Sequence, residues 1–242
     1  MLISRVAAAL KRQDWAVVAI EFALVIFGVL TALQVNNWNA ARADRAGAAS
    51  ALNRLHIEVN ANIAAADDRL AAIEGSADVR RAGVTALLSC DSSPEATKAL
   101  GEALGNLTGD IIPSFVDNTL RELARQDRYL DLLSEEFRVA LSVYSGRLSD
   151  EREQLKINFG LMWDRHAINH PLVGIEMPDG DALASQFAFS EPMEAMCKDT
   201  EFRRKLIMTE GFHQSTVLRL KRFKEWSAEF MTTVEAEQAA FR

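Results

Sequence analysis

The stretch Trp15–Trp38, WAVVAIEFALVIFGVLTALQVNNW, constrains this chain more than any other. A helix rises about 1.5 Å per residue, so the two tryptophans stand roughly 35 Å apart. The hydrocarbon core of a bilayer is about 30 Å thick, and tryptophan favours both of its interfaces. Between the tryptophans only Glu21 is charged, and no proline interrupts the run. The expectation is one transmembrane helix over residues 15–38. Its rival is the buried helix of a soluble core.

Arg5, Lys11 and Arg12 precede the span, while Arg42 and Arg45 follow it. That bias places residues 1–14 in the cytoplasm, as a short amphipathic tail, and residues 39–242 outside, in the periplasm of a bacterial envelope. The alternative is a cleaved signal peptide, because Ala41-Arg42-Ala43 has the small-x-small form of a cleavage site. The apolar run exceeds the usual signal-peptide core of about 7–15 residues, which favours an uncleaved anchor.

One face of the span invites contact with another membrane helix. Glu21, Leu24, Val25, Gly28, Thr31 and Ala32 fall together, and Gly28-x-x-x-Ala32 is a small-xxx-small pair that lets backbones approach. Gln34, Asn37 and Trp38 share a face at the outer boundary. Glu21, Gly28, Ala32, Gln34, Asn37 and Trp38 are therefore the candidate interaction residues, for a partner's membrane helix or a second copy. The plain alternatives are a snorkelling Glu21 and amides bonded to lipid headgroups.

The body should be all-α: one anchor helix continuing into an extramembrane bundle closed by a long C-terminal helix. Five prolines, twelve glycines and two tyrosines are few for a sheet-rich fold, and Ala, Leu, Glu and Arg are plentiful. Leu52, Leu55, Val59, Ile63, Ala66, Leu70 and Ile73 step by three and four, one stripe of an amphipathic helix. A single rod is expected from Trp15 to Glu74, ended by Gly75 in the left-handed conformation. Further helices are expected over 77–89, from Ser93-Pro94-Glu95 to about Leu107, over 114–126 and over 134–157. Residues 163–197 are irregular, with turns at Pro171, Pro178, Asp179-Gly180 and Pro192. Asp199 should cap the closing helix, whose stripe runs Phe202, Leu206, Thr209, His213, Val217, Leu220, Phe223, Ser227, Phe230 and Val234.

Phe22–Asn39, FALVIFGVLTALQVNNWN, resembles the start of a bacterial single-pass membrane protein family catalogued as a domain of unknown function. That family shows a pattern like LVVhGhLIALQINNWNE. Leu24, Val25, Gly28, Ala32, Leu33, Gln34, Asn36, Asn37, Trp38 and Asn39 match it, and Ala40 replaces the expected acid. Thr119–Leu123 through Arg138 and Leu141 to Tyr144 is similar to the family's central helical pair, without the glycine of the intervening turn. The resemblance implies a membrane-anchored helical protein and brings no catalytic residues.

The chemistry on offer is sparse. His166 and His170, at i and i+4, could chelate zinc or copper from one helical face. They could equally be polar groups at a helix terminus. Arg219, Lys221, Arg222 and Lys224 could meet an anionic headgroup or an acidic partner, or form a solvated face. A net charge of −7 argues against a nucleic-acid surface. Phosphate-binding loops, serine-nucleophile elbows and zinc-protease motifs are missing, so no cofactor, metal site or catalytic residue is expected. Cys90, at the end of a helix, and Cys197, just before the Asp199 cap, both sit at inter-helix corners. A bridge between them competes with two separately buried thiols. The expected role is a periplasmic interaction or scaffold module, and the alternative is a ligand-sensing bundle that signals through a partner's membrane helix.

Overall fold

A computed structural model describes residues 15–108, 112–176 and 186–241. The tail over residues 1–14 and the turn at Pro178 and Asp179-Gly180 lie outside them. The chain divides into two compact units, Met1–Ser50 and Ala51–Arg242. Within the first unit the described residues form part of a single helix, α1, which spans Trp15–Gly75.

In the second unit the α1 stripe, a hairpin of helices, an irregular excursion and a long closing helix build an all-α bundle. Helices α2 (Ala77–Ser89) and α3 (Pro94–Leu107) form the hairpin. Then come α4 (Asn118–Arg125), α5 (Asp127–Leu130) and α6 (Glu135–Asp164). A 3-10 turn over Ala167–Asn169 follows, then β1 (Val173–Glu176), β2 (Gln186–Phe189) and α7 (Met193–Met196). The closing helix α8 covers Thr200–Ala240. The strands pair antiparallel, with Val173 opposite Phe189 and Gly174 opposite Ala188. That ribbon occupies a region read from sequence only as irregular.

Side chains set the helix starts. Ser93 Oγ accepts the Ala96 N–H at 3.2 Å with Pro94 in the first turn, and Asp199 Oδ1 accepts the Phe202 N–H at 2.9 Å. These are the N-cap arrangement, which satisfies donors that have no partner inside the helix. Ser134 Oγ does the same for Phe137 at 3.1 Å.

Three local expectations need correction. Gly75 does not adopt the left-handed conformation. The Ser76 hydroxyl donates to the Ala72 carbonyl and the Arg80 guanidinium to the Ile73 carbonyl, so the helix end needs no glycine cap. The left-handed residue is Cys90, with φ 54° at the end of α2. Next, α4 begins at Asn118 rather than Ser114, because Asn62 binds both the N–H and the carbonyl of Val116 at 2.8 Å. Those backbone groups are thereby taken out of any helical ladder. Finally, α6 runs on to Asp164, past the expected end at Ile157, since Leu155 and Met162 continue its buried stripe beyond Leu148.

Two apolar cores result. The larger gathers Leu52, Leu55 and Val59 of α1, Leu120 and Leu123 of α4, Phe137 and Leu141 of α6, and Leu220 to Val234 of α8. Phe115 stacks on Phe223 at 4.1 Å, and Tyr144 on Phe230 at 4.2 Å. The smaller core joins Leu87 of α2 and Leu100, Leu104 and Leu107 of α3 to Met193, Met196, Phe202 and Leu206. Gly83 lets α2 approach α3 closely, since a Cβ there would stand 2.7 Å from the Ala99 carbonyl and collide with Ala103.

Candidate functional site

α1 is long and apolar enough to cross a membrane, with a mean hydropathy of 1.8 in its most apolar window and none of that window buried. On it a shallow groove of about 600 Å³ is lined by Phe27, Gly28, Thr31, Ala32, Val35, Asn36 and Asn39. The groove exists because Gly28 and Ala32 are small, and a Cβ on Gly28 would meet nothing within 4 Å. Glu21, Gly28, Ala32, Val35 and Asn39 fall along one line of a helix turning about 100° per residue. Gln34, Asn37 and Trp38 do not. Gln34 is about 120° around from Gly28 and Asn37 about 180°, so the six candidate residues occupy two sides of the helix. The amides that join the Gly28/Ala32 groove are those of Asn36 and Asn39. Helical phase could have picked them out, but the Gln-Asn-Asn-Trp-Asn signature drew the choice toward its outer members. The Arg42 guanidinium lies 5.8 Å from the centre of the Trp38 ring, one turn along.

In the second unit a disulfide joins Cys90 to Cys197, 107 positions apart in sequence, with Cα atoms 5.4 Å apart. It ties the end of α2 to the residues that lead into α8. Cys197 is buried and Cys90 exposed.

The paired histidines do not present one helical face, because α6 ends at Asp164. His166 caps the 3-10 turn, where its Nδ1 accepts the Ile168 N–H at 3.1 Å. Its Nε2 lies 2.9 Å from the Leu107 carbonyl. His170 Nδ1 accepts the Leu172 N–H at 3.3 Å. His166 spends both ring nitrogens on the backbone and His170 spends one, its Nε2 standing 3.7 Å from Asp199 Oδ1. Among the described residues no group of three or more His, Cys, Asp or Glu side chains could hold a metal ion.

The basic run on α8 is largely neutralised within the chain. Lys221 pairs with Glu74 at 2.7 Å, Lys224 with Asp67, and Arg219 with Glu151 at 3.4 Å. Arg222 instead lines a cleft of about 440 Å³ between α6 and α8, with Arg147, Asp150, Glu151 and Trp226. Burial raises the Glu151 carboxyl above its ordinary value, against the pull of Arg219.

A larger groove of about 790 Å³ lies between α3 and β2. Phe187 and Phe189, two apart on the strand, share its apolar side with Pro94 and Gly101, and Lys98 and Glu102 stand on its polar side. Sequence reasoning missed these residues, since a four-residue strand in a turn-rich segment carries little periodic signal. No family model, curated protein or solved structure matches the chain.

Proposed function

We propose that this chain is a single-pass inner-membrane protein of a bacterial envelope whose helical body works in the periplasm as an interaction or scaffold module. One observation carries the reading: on α1, Phe22, Leu24, Phe27, Leu30 and Leu33 each leave more than half of their surface uncovered. Apolar surface open to water costs about 25 cal/mol per Å², so a run of this length calls for lipid around it. Arg5, Lys11 and Arg12 favour a cytoplasmic N-terminus. A disulfide fits an oxidising compartment better than the cytoplasm. The resemblance at Phe22–Asn39 implies the same membrane anchor.

The module acts by binding rather than by catalysis, and its partner is another protein's membrane helix or a second copy, not nucleic acid. A phosphatase fused after Arg242 should be active, and a cytoplasm-only fluorescent reporter there should be dark. The reverse pattern overturns the orientation. Crosslinking in intact cells, read by mass spectrometry, should then capture a membrane protein or a dimer.

The groove beside Phe187 and Phe189 favours a second reading, a sensor of a small amphipathic ligand that signals through a partner's membrane helix. Under that reading, Gly101→Trp would fill the groove and abolish ligand-dependent protection of α3 from hydrogen exchange. Unchanged protection would remove it.

A further inference from the structure

The chain has four histidines, and three of them, His166, His170 and His213, are buried around the smaller core. The fourth, His56, lies partly exposed beside Glu235 on the larger one. His166 and His213 are placed to suit a neutral imidazole. His166 accepts at Nδ1 from the Ile168 N–H and faces the Leu107 carbonyl with Nε2, so a single proton on Nε2 satisfies both contacts. A second proton could go only to Nδ1, where it would oppose the Ile168 N–H. His213 faces the Thr209 carbonyl with Nδ1 at 3.1 Å, which places its proton there. Its Nε2 is buried without a partner. A proton at that atom would be a buried charge with no acceptor.

The surroundings offer little to balance such a charge. From α2, the Arg80 guanidinium faces His213, and it is itself buried and held by Glu210 at 2.7 Å. From the end of α1, the Ile73 carbonyl and the Ser76 hydroxyl are also bound to Arg80. From α8, Glu210 is thus engaged, and Asp199 already caps Phe202 while standing 3.7 Å from His170. From the end of α3 comes the Leu107 carbonyl. Asp164 and Arg165 at the end of α6, with Arg204 and Lys205 of α8, line a separate surface cleft.

We propose that His166 and His213 form an acid-operated release: on taking up protons they break the cap that His166 gives the turn at 167–169 and place an unpaired charge at His213, so that the smaller core loosens while the larger core stays folded and the Cys90–Cys197 bridge keeps the released segments tethered. Burial is the largest influence on both rings and holds them below the ordinary value of 6.5. The unfolded segments therefore bind more protons than the folded ones. The stability of this region is fully present above the ordinary value and falls as the pH drops below it. The larger core keeps its Glu58, Asn62 and Glu237 contacts and holds no buried histidine among its described residues. Loosening would uncover Met193, Met196 and Phe202, an apolar surface that a partner could read only in acid.

The test is hydrogen exchange on the full chain in phospholipid nanodiscs, corrected for intrinsic rates, from about pH 7.5 to about pH 5. Peptides over 94–107, 163–176 and 200–213 should lose about tenfold or more of their protection, and peptides over 51–73 and 137–162 should keep theirs. His213→Phe, which keeps a ring but cannot titrate, should remove much of the response. The wild-type rings also report directly: by NMR, two imidazoles should titrate with midpoints below that of a free histidine. Unchanged protection, equal loss in both cores, or ordinary midpoints for both rings would overturn the proposal.

Discussion

Glu58 and Thr119 are 61 residues apart in sequence, and the Glu58 carboxylate accepts the Thr119 N–H at 2.8 Å while its other oxygen takes the Leu120 N–H at 3.1 Å. A long helix thus supplies the cap that the short helix α4 lacks in its own sequence, since Asp117 makes no side-chain cap bond. Glu237 repeats the device at the start of α6, accepting the Ser134 N–H at 2.9 Å and the Ser134 hydroxyl at 2.6 Å. An anionic group at a helix N-terminus meets free N–H donors and the positive end of the helix dipole together.

Glu58→Ala should therefore lower stability by about 2–4 kcal/mol, because it strands two buried donors. Glu58→Gln, which keeps one carbonyl acceptor, should lose less. Denaturant unfolding in detergent, followed by circular dichroism, measures both. A Glu58→Ala midpoint equal to wild type would mean that water replaces the carboxylate without cost.

Gly83 tolerates no side chain. A methyl group there collides with Ala103 and the Ala99 carbonyl, so Gly83→Ala should destabilise by about 1–3 kcal/mol although alanine is the better helix former. Gly146→Ala, on α6 with nothing within 4 Å, is the control and should be neutral or stabilising. Thermal unfolding of the two variants separates the effects, and a stabilised Gly83→Ala would refute the close approach.

The groove on α1 makes a prediction about association in the membrane. Gly28→Ile fills it and should weaken dimerisation of the isolated span in a membrane two-hybrid assay, while Val29→Ile, outside the groove, should not. Equal signals from both would leave Glu21 as a snorkelling carboxylate and the groove without a partner helix of its own kind.

On protein purified from membranes, alkylation under denaturing conditions should modify neither Cys90 nor Cys197 until reductant is added. Replacing both by alanine opens a loop of 107 residues and should cost roughly 4–5 kcal/mol in the chain-entropy model, a large share of a typical domain's stability. Two labelled thiols without reductant would sink this prediction.

Local and periodic features were legible from the residues alone. The spacing of Leu52 through Ile73 and of Phe202 through Val234 marks buried stripes, because a helix returns the same face every three or four residues. Ser93-Pro94 and Asp199 announce helix starts, because a cap acts across three residues. The apolar run to Trp38 is visible for the same kind of reason, as length and hydropathy are sums over neighbours. Tertiary structure alone decided what depends on residues distant in sequence. Asn62 holding Val116 extended, Glu58 and Glu237 capping other helices, and Phe187 and Phe189 closing a groove on α3 leave no periodic trace. His166 and His170 show the same limit: their spacing suggested a chelating face, but the helix stops two residues before His166, and each ring turns to a backbone group in the packed chain.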